Sequence, residues 1–426
     1  MDERMLIRGG RPLFGTITAQ GAKNAALPVM ASALLLRGRR LTLERVPDLI
    51  DIHTMADLLR HLGADIAFEN GRMTIDVPED LKWETPADLV RKMRASSLVL
   101  GPLVARCGKA VLPLPGGCAI GSRPIDFHLR GLARMGAEID LEQGSVHANT
   151  SGLSATRINL DFPSVGATEN MLMTAALTPG ESVIGNAARE PEISNLAQAL
   201  RAMGTYVEGD GTGTITIRGS RELESATVRI IPDRIEASTY LLAALMTRGE
   251  ITVNEINTEY IGALLSKLDD AGVVCEVSPY SVTLHGTECG WNGITLTTSP
   301  YPGFPTDVQP QIMAALCMAE GTSVIHESVF DSRYVHVAEF RRMGGKIDIQ
   351  GNTVVVIGVP KLTGTEVHAS DLRAGAALII MGLAAEGQTE IYELKHVRRG
   401  YENLMGKMTS LGADIEIESD CGIGAW

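Results

Sequence analysis

The 426-residue sequence repeats one short pattern six times. Each copy has a helix-like segment, a glycine and then a β-rich stretch, as in HLGADIAF and RMGGKIDI. A period of about 70 residues is too long for the usual solenoid repeats, so we expect each repeat to be a small α/β layer. The six glycines lie 68 to 73 residues apart: Gly63, Gly136, Gly204, Gly272, Gly344 and Gly412.

A second, more apolar helix pattern also occurs six times, for example NAALPVMASALLL and DLRAGAALIIMGLAA. Helices that are apolar nearly all round are buried on most faces. Each is followed by a short strand, by the amphipathic helix that ends at the repeat glycine, and by a hairpin with an Asn-Gly or Gly-Asn turn. The sequence therefore predicts an α/β fold of six β-α-β-α-β-β repeats.

The sixth repeat is incomplete, because the chain ends soon after one hairpin strand, ADIEIESD. The N-terminal segment MLIRGGRPLFGTITA resembles the segment that comes after that strand in the other repeats. We therefore expect two domains of three repeats each, residues 21–231 and residues 232–426 completed by residues 1–20. Two chain crossings would link the domains and permit a hinge. The alternative is that the N-terminal strand lies on a sheet edge.

Composition excludes several classes of function. A net charge of -13 argues against nonspecific binding to nucleic acid or to anionic membranes. The longest apolar runs are about 12 residues, whereas a membrane span needs about 18 to 20, and the N-terminus has no apolar stretch of signal-peptide length. We expect a cytoplasmic protein. The six cysteines form no CxxC pair and the nine histidines show no metal-ligand spacing, so we expect no disulfide scaffold, metal or cofactor. The oligomeric state stays open.

The apolar helices begin with polar segments: GAKNAALP, RKMRASS, FPSVGAT, IPDRIEA, FPTDVQP and ASDLRAG. Helix N-termini offer free N–H groups that bind phosphate or carboxylate. Ordinary capping explains FPSVGAT. It explains Lys23 and Arg94 poorly, because a cation in the first turn opposes the helix dipole. We expect these polar ends to cluster at one face of each domain.

Two loops carry further reactive or anion-binding side chains. In the glycine-rich loop LPLPGGCAIGSRPIDFHL, Arg123 follows Cys118 by five positions, which favours a thiolate at an accessible site. The alternative is an inert cysteine. In the loop LKHVRRGYEN, Arg398 and Arg399 are adjacent, and Arg333 occupies the matching loop of the fifth repeat. Arginine binds carboxylate and phosphate through two parallel hydrogen bonds. For Arg398, a charge pair on a solvated face is an equal alternative.

These segments, together with NAAREPEI, closely resemble the UDP-N-acetylglucosamine enolpyruvyl transferase family over residues 4 to about 418. The resemblance implies a two-domain inverse α/β barrel with three β-α-β-α-β-β repeats in each domain. It also implies transfer of enolpyruvyl from phosphoenolpyruvate to the 3-hydroxyl of UDP-N-acetylglucosamine, with release of phosphate. This reaction is the first committed step of bacterial peptidoglycan synthesis and needs no metal.

The resemblance also assigns roles to individual residues. Asp307 would be the general base that takes the proton of the 3-hydroxyl. Cys118 would protonate the methylene carbon, form a covalent adduct with phosphoenolpyruvate and be alkylated by fosfomycin. Lys23, Arg123 and Arg399 would neutralise phosphate and carboxylate and stabilise the charge of the transition state. The family's D-x-R motif beside the reacting centre matches two further residues, Asp371 and Arg373.

Other matching positions would bind the nucleotide sugar. Asn24 would hold the N-acetyl sugar, and Arg333 is a candidate ligand for an anionic group. In some members a lysine faces the diphosphate where this chain has Phe162, so one diphosphate contact is missing or comes from another residue. The remaining predicted contacts are Arg94, Arg123, Pro124, Ile125, Asp126, Phe127, Ser164, Val165, Gly166, Asp307 and Val329.

Two alternatives compete with this hypothesis. The first is enolpyruvyl transfer to another acceptor, such as shikimate 3-phosphate, although enzymes of that kind lack this cysteine loop, or a nucleoside. The second is a repeat scaffold that binds a ligand without catalysis. Such a scaffold would not need Cys118, Asp307, Lys23 and Arg399 together. The expected partners are therefore phosphoenolpyruvate and UDP-N-acetylglucosamine.

Overall fold

A computed structural model describes residues 3–114, 125–286 and 290–419. Its helices are α1 Lys23–Ser32, α2 Ile50–Leu62, α3 Ala87–Lys92, α4 Leu100–Cys107, α5 Asp126–Arg134, α6 Val165–Ala176, α7 Pro191–Ala202, α8 Arg234–Thr247, α9 Gly262–Asp270, α10 Gln309–Leu316, α11 Val337–Arg342, α12 Leu372–Ala384 and α13 Leu404–Ser410. Its strands are β1 Glu3–Arg8, β2 Phe14–Thr18, β3 Arg39–Glu44, β4 Asp65–Glu69, β5 Arg72–Val77, β6 Lys109–Pro113, β7 Glu138–Glu142, β8 Ser145–Asn149, β9 Arg157–Asn159, β10 Gly180–Gly185, β11 Tyr206–Glu208, β12 Thr214–Gly219, β13 Ala226–Arg229, β14 Glu250–Asn254, β15 Cys275–Ser278, β16 Ser281–His285, β17 Thr295–Thr297, β18 Thr322–His326, β19 Lys346–Gln350, β20 Thr353–Ile357, β21 Glu366–His368, β22 Gln388–Tyr392 and β23 Asp414–Ser419.

The contacts between residues divide the chain into two compact units. The central unit comprises the described residues of 21–231, and the terminal unit comprises those of 1–20 and 232–426. Each unit has an apolar core of its own, and no core residue of one unit belongs to the core cluster of the other among the described residues. Each unit therefore has a separate interior.

The described residues form six sheets, which share one topology. Five have four strands: a short edge strand runs parallel to its neighbour, and the other two strands are antiparallel, as in β17-β18-β20-β19. The sixth sheet has the order β6-β8-β7, and a single bridge between Glu84 and Val111 replaces its edge strand. Pro86 follows that bridge closely, and a proline has no backbone N–H to continue a ladder. The predicted β-α-β-α-β-β pattern is confirmed with this one shortened strand.

The N-terminal strand β1 lies inside a sheet. It pairs with both β22 and β23, so that Met5 faces Ile391 on one side and Ile417 on the other. The next strand, β2, is the parallel edge strand beside β14. The N-terminal segment therefore supplies the hairpin strand that the sixth repeat lacks.

Each edge strand comes in the chain directly after the last strand of one sheet and pairs with another sheet of the same unit. In the central unit, β13 follows the hairpin of β11 and β12 but pairs with β3, and β9 follows β8 but pairs with β10. In the terminal unit, β2, β17 and β21 pair in the same way with β14, β18 and β22. Together with the bridge at Glu84, these exchanges link the three sheets of each unit in a closed ring.

The apolar helices form the interior, as predicted. In the terminal unit, α8, α10 and α12 pack against one another, and nearly every residue of α8 and α12 is buried. In the central unit, α4 packs on α6, and the residues of α1 from Ala25 to Ser32 are buried. No helix in the described part of the chain is long and apolar enough to cross a membrane.

The repeat glycines end the amphipathic helices in the predicted conformation. All six have positive φ angles, from 80° at Gly272 to 121° at Gly63. A residue with a Cβ atom is strained in this region, which explains why a glycine recurs at this point. The hairpin turn between β4 and β5 has positive φ at both Asn70 and Gly71, as a type I′ turn requires.

Candidate active site

Asp307 is the centre of a charged cluster in the terminal unit. It lies in a 3-10 turn, Thr306–Val308, immediately before α10. Its Oδ2 atom accepts a hydrogen bond of 3.0 Å from Nη2 of Arg373, and its Oδ1 atom lies 3.4 Å from Nη2 of Arg333. The side chain of Asp307 is 29% exposed, whereas the two arginines are buried. The site thus presents one accessible carboxylate between two fixed cations.

Arg373 remains a cation although it is buried. Burial alone would lower the pKa of its guanidinium, but the charges of Asp307, Tyr401 and Asp233 outweigh burial and raise it. A permanent buried cation next to Asp307 stabilises negative charge that develops at this point.

Asp371 fixes the start of α12 and thereby the backbone of Arg373. Its Oδ1 atom accepts hydrogen bonds from the backbone N–H groups of Arg373, at 2.9 Å, and Ala374, at 3.2 Å. This is an N-cap, which satisfies two N–H groups of the first turn. The polar helix starts FPTD and SDLR therefore meet in the terminal unit, as the sequence predicts for the ends of the apolar helices.

Tyr401 is a member of the cluster that the sequence did not reveal. Its buried hydroxyl lies 3.4 Å from Nη1 of Arg373, 2.9 Å from Oγ1 of Thr239 and 3.3 Å from Nε2 of Gln311. Burial raises the pKa of this phenol. The hydroxyl joins α8, α10 and α12 at the level of Arg373.

The two adjacent arginines before Tyr401 have different surroundings. Arg398 is exposed and pairs with Glu3 at 2.6 Å, so the interpretation as a surface charge pair is confirmed for this residue. Arg399 is half-buried at the end of the 3-10 turn Val397–Arg399. Of the two, Arg399 is the one that the resemblance assigns to the substrate anions.

Gln20 holds the loop that follows Arg399. Its Nε2 atom donates to the carbonyl of Gly400 at 3.0 Å, and its Oε1 atom accepts from the N–H of Glu402 at 2.8 Å. Its own N–H donates to Oε2 of Glu236 at 2.6 Å. Burial raises the pKa of Glu236 to about 7, although Lys407 contacts its other oxygen and opposes that shift. No sequence pattern indicated Gln20.

In the central unit, Lys23 forms a buried ion pair. Its Nζ atom lies 2.9 Å from Oδ2 of Asp51 at the start of α2, and both side chains are nearly inaccessible. Asn24 follows in the first turn of α1 and is half-buried. Because an isolated buried ammonium is costly, the ion pair with Asp51 offsets the cost of burying Lys23 in the first turn of a helix.

A second polar neighbourhood of the central unit surrounds His128. Burial, followed by the charge of Arg94, lowers the pKa of His128 to about 4, so the ring is neutral at pH 7. The ring lies so close to Gly166 that a Cβ atom there would stand 3.2 Å from its Cε1 atom. Ser164 caps α6 by accepting from the N–H of Ala167 at 3.4 Å. Arg94 and the Ser164–Gly166 segment are thus brought together around an unpredicted histidine.

The remaining predicted contacts are spread more widely. Ile125 is buried before α5, Asp126 pairs with Arg130 at 2.5 Å, and the same guanidinium lies 4.9 Å from the ring centre of Phe127. Val165 is half-buried in the first turn of α6, and Phe162 is 37% exposed. Val329 is half-buried in the loop after β18.

Three predicted site residues, Cys118, Arg123 and Pro124, lie outside the described residues. Within residues 3–114, 125–286 and 290–419, no group of three or more His, Cys, Asp and Glu side chains is arranged to hold a metal ion.

Comparison with known proteins identifies the family. The family model of EPSP synthase (3-phosphoshikimate 1-carboxyvinyltransferase) matches residues 7–408. UDP-N-acetylglucosamine 1-carboxyvinyltransferase 1 of Halalkalibacterium halodurans is 48% identical over 97% of this chain and 94% of its own length. UDP-N-acetylglucosamine 1-carboxyvinyltransferase of Desulfosudis oleivorans is 49% identical over 97% of this chain and 99% of its own length.

Solved structures confirm the predicted fold class. The enolpyruvyl transferase NikO from Streptomyces tendae superposes with a TM-score of 0.89 at 26% identity, covering 98% of this chain and 99% of that one. EPSP synthase from Acinetobacter baumannii has a TM-score of 0.75 at 18% identity, covering 98% and 100%, and shows the fold alone. The chain belongs to the enolpyruvyl transferase family, among the UDP-N-acetylglucosamine 1-carboxyvinyltransferases.

Proposed function

We propose that the chain transfers enolpyruvyl from phosphoenolpyruvate to the 3-hydroxyl of UDP-N-acetylglucosamine and releases phosphate. This is the first committed step of peptidoglycan synthesis. The observation that carries the proposal is the carboxylate of Asp307 beside the buried guanidinium groups of Arg373 and Arg333. The relatives that are 48% and 49% identical supply the choice of acceptor, because their names state it.

The proposed chemistry has an addition and an elimination. In the addition, the 3-hydroxyl oxygen bonds to C2 of phosphoenolpyruvate, Asp307 takes the hydroxyl proton, and Cys118 protonates C3. In the elimination, the bond from C2 to the phosphate oxygen breaks and C3 returns a proton to Cys118, which restores the double bond. Asp307 gives its proton to the departing phosphate. Each step conserves the proton count, and phosphate carries away the electron pair of the broken bond.

The charged side chains have separate tasks in this proposal. Lys23, Arg123 and Arg399 neutralise the phosphate and carboxylate of phosphoenolpyruvate. Arg373, held by Asp371 and Tyr401, stabilises charge beside the reacting carbons. Arg333 is buried, and its guanidinium stays close to Asp307. Its task is to orient the Asp307 carboxylate and to attract anions.

Further residues are proposed to bind the nucleotide sugar. They are Asn24, Arg94, Arg123, Pro124, Ile125–Phe127, Ser164–Gly166 and Val329. We further propose that residues 21–231 and residues 232–426 with 1–20 act as the two domains of the enzyme.

The function is tested by phosphate release from phosphoenolpyruvate, with UDP-N-acetylglucosamine, shikimate 3-phosphate and UMP offered as separate acceptors. We expect release with the first alone. Asp307→Asn should lower kcat by about 10²- to 10⁴-fold, the usual contribution of a general base. Asp348→Asn, which changes an exposed carboxylate of the same unit, is the matched control and should leave kcat unchanged.

Other results separate the alternatives. Phosphate release with another acceptor would support enolpyruvyl transfer but would assign the enzyme to a different pathway. No release with any acceptor, from folded protein, would favour the non-catalytic scaffold.

We also propose that the enzyme acts in the cytoplasm, where phosphoenolpyruvate and nucleotide sugars are made. In fractionated cells, the phosphate-releasing activity should remain in the supernatant after membranes are sedimented. Recovery of the activity with the membrane pellet would contradict this location.

A further inference from the structure

Glu327 is a fully buried carboxylate close to the candidate active site. It follows β18, and its side chain has no exposure to solvent. Its Oε1 atom accepts hydrogen bonds from the backbone N–H groups of Val329, at 2.9 Å, and Phe330, at 3.1 Å. Its Oε2 atom accepts a hydrogen bond of 3.0 Å from the hydroxyl of Thr306. All three donors are uncharged.

These hydrogen bonds connect two segments that carry site residues. Thr306 immediately precedes Asp307 in the same 3-10 turn. The loop from Ser328 to Arg333 begins beside Glu327 and ends at the arginine that contacts Asp307. The connection is therefore a closed ring: Glu327 joins the two segments at one end, and the contact between Arg333 and Asp307 joins them at the other.

We propose that Glu327 is a positioning residue, which sets the geometry of Asp307 and Val329 without touching the substrate. The inference rests on the proposed function, because it assumes that Asp307 is the base and that Val329 contacts the nucleotide sugar. A buried carboxylate is costly unless its oxygens are well hydrogen-bonded. Here the carboxylate accepts hydrogen bonds from three donors. One is the side chain of Thr306, next to the predicted base Asp307, and the others are the backbone N–H groups of Val329, the predicted sugar contact, and of Phe330.

This role requires a side chain of the right length that carries hydrogen-bond acceptors. It does not require a negative charge. A glutamine at this position could accept both backbone N–H groups with its carbonyl oxygen. Its NH₂ group would then donate to Thr306, whose hydroxyl can also accept. An alanine would leave all three donors without this partner. The glutamine and alanine variants therefore separate geometry from simple loss of the side chain.

The test compares Glu327→Ala and Glu327→Gln with the wild type in the full chain. Phosphate release is measured well below the unfolding temperature. Glu327→Ala should lower kcat by about 10- to 100-fold, because displacing a catalytic group by about 1 Å costs that much. It should raise KM for UDP-N-acetylglucosamine by up to about tenfold, the value of one lost hydrogen bond. KM for phosphoenolpyruvate should change by less than about twofold, and Glu327→Gln should restore most of kcat.

Thr306 provides a second pair of variants that leaves the loop contacts in place. Thr306→Val removes only the connection to Asp307, so it should lower kcat with little change in either KM, whereas Thr306→Ser keeps the hydroxyl and should act as wild type. The double variant Glu327→Ala with Thr306→Val should be no slower than Glu327→Ala alone, because both changes break the same connection. If Glu327→Ala fails to fold, this pair decides the question.

The outcomes are distinguishable. An active wild type together with unchanged kinetic constants in Glu327→Ala or Thr306→Val would overturn the inference and leave the proposed function standing. A Glu327→Gln variant as impaired as Glu327→Ala would also overturn it, because charge would then matter more than geometry. A folded wild type that releases no phosphate with any acceptor would overturn the proposed function and this inference together.

Discussion

At the scale of the residue, burial makes three cysteines poor nucleophiles. It raises the pKa of Cys107, it raises the pKa of Cys275 to about 11, and it raises the pKa of Cys317 to about 12. The thiolate is the reactive form, so these three side chains are inert near neutral pH. Cys118, in contrast, is predicted to be accessible and to have a cation nearby.

This difference predicts the site of covalent labelling. Fosfomycin should alkylate Cys118 in the presence of UDP-N-acetylglucosamine, and peptide mapping by mass spectrometry should place the adduct there. Cys118→Asp should abolish the adduct and retain part of the turnover, because a carboxyl group can also donate a proton. Cys107→Ser is the matched control and should leave labelling intact. Adducts found on Cys107 or Cys317 instead would contradict the prediction.

Residue types and spacing indicated candidate site residues but not the residues that hold them in place. Asp307, Arg373 and Arg333 stand out as charged residues in helix starts and loops, and the structure brings them together. Tyr401 acts through hydrogen bonds to residues distant in sequence, and Glu327 reaches Thr306 across 21 positions; such contacts leave no periodic pattern. The pairing of Lys23 with Asp51 was missed for the same reason.

At the scale of the element, polar side chains connect the inner helices of the central unit. Asn170 on α6 accepts from the N–H of Gly101 at 2.7 Å and donates to the carbonyl of Ser97 at 3.1 Å. Its Nδ2 atom also lies 2.8 Å from Nδ1 of His128 on α5. Because the amide donates here, Nδ1 must accept, which requires a neutral imidazole. This geometry agrees with the low pKa of His128.

The neutral histidine predicts acid sensitivity. The pKa of His128 falls from 6.5 to about 4 on folding, so below pH 6.5 the unfolded chain binds a proton that the folded chain does not. Stability is therefore lost as the pH falls from about 6.5 to about 4, by about 3 kcal/mol for this residue, and no such loss occurs at higher pH.

Urea unfolding over this pH range would measure the effect. His128→Gln should show a shallower loss of unfolding free energy than the wild type, since glutamine does not titrate. His61→Gln, on the exposed face of α2, is the control and should follow the wild type. Parallel profiles for His128→Gln and wild type would contradict the assignment.

The order of helices and strands was predictable because it is the same in each of the six repeats. The six glycines and the six apolar helices mark the same points in every copy, so an ambiguous copy is read from the others. The edge strand at Glu84 is the exception to this regularity. The segment KWETP forms only one bridge, and its residue pattern alone does not predict how many residues pair. The pairing of β13 with β3 and of β2 with β14 was also not predictable, because these two strands pair outside their own β-α-β-α-β-β repeat.

At the scale of the whole molecule, the two compact units differ in how their chains are arranged. The described residues of the central unit all lie between positions 21 and 231, and its three sheets close into a ring. The terminal unit needs β1 and β2 from the start of the chain to complete two of its three sheets.

This difference predicts how fragments behave. Residues 21–231 expressed alone should unfold cooperatively in urea, because that segment contains its full set of sheets and its own core. Residues 232–426 alone should not, since one sheet lacks a central strand and another lacks its edge. Attaching residues 1–20 through a flexible linker after residue 426 should restore cooperative unfolding. Circular dichroism would follow all three fragments, and a cooperative transition in residues 232–426 alone would contradict the prediction.

The position of β1 between β22 and β23 also determines when β1 can pair during synthesis on the ribosome. After β1 has been synthesised, it must wait for partner strands that lie more than 370 residues later in the chain. At about 5 to 20 residues per second, that wait is roughly 20 to 80 s. During this time residues 21–231 have everything they need to fold, while β1 has no sheet to join. The insertion of β1 between β22 and β23 is therefore late relative to the folding of residues 21–231, and a nascent-chain chaperone could bind β1 during that interval.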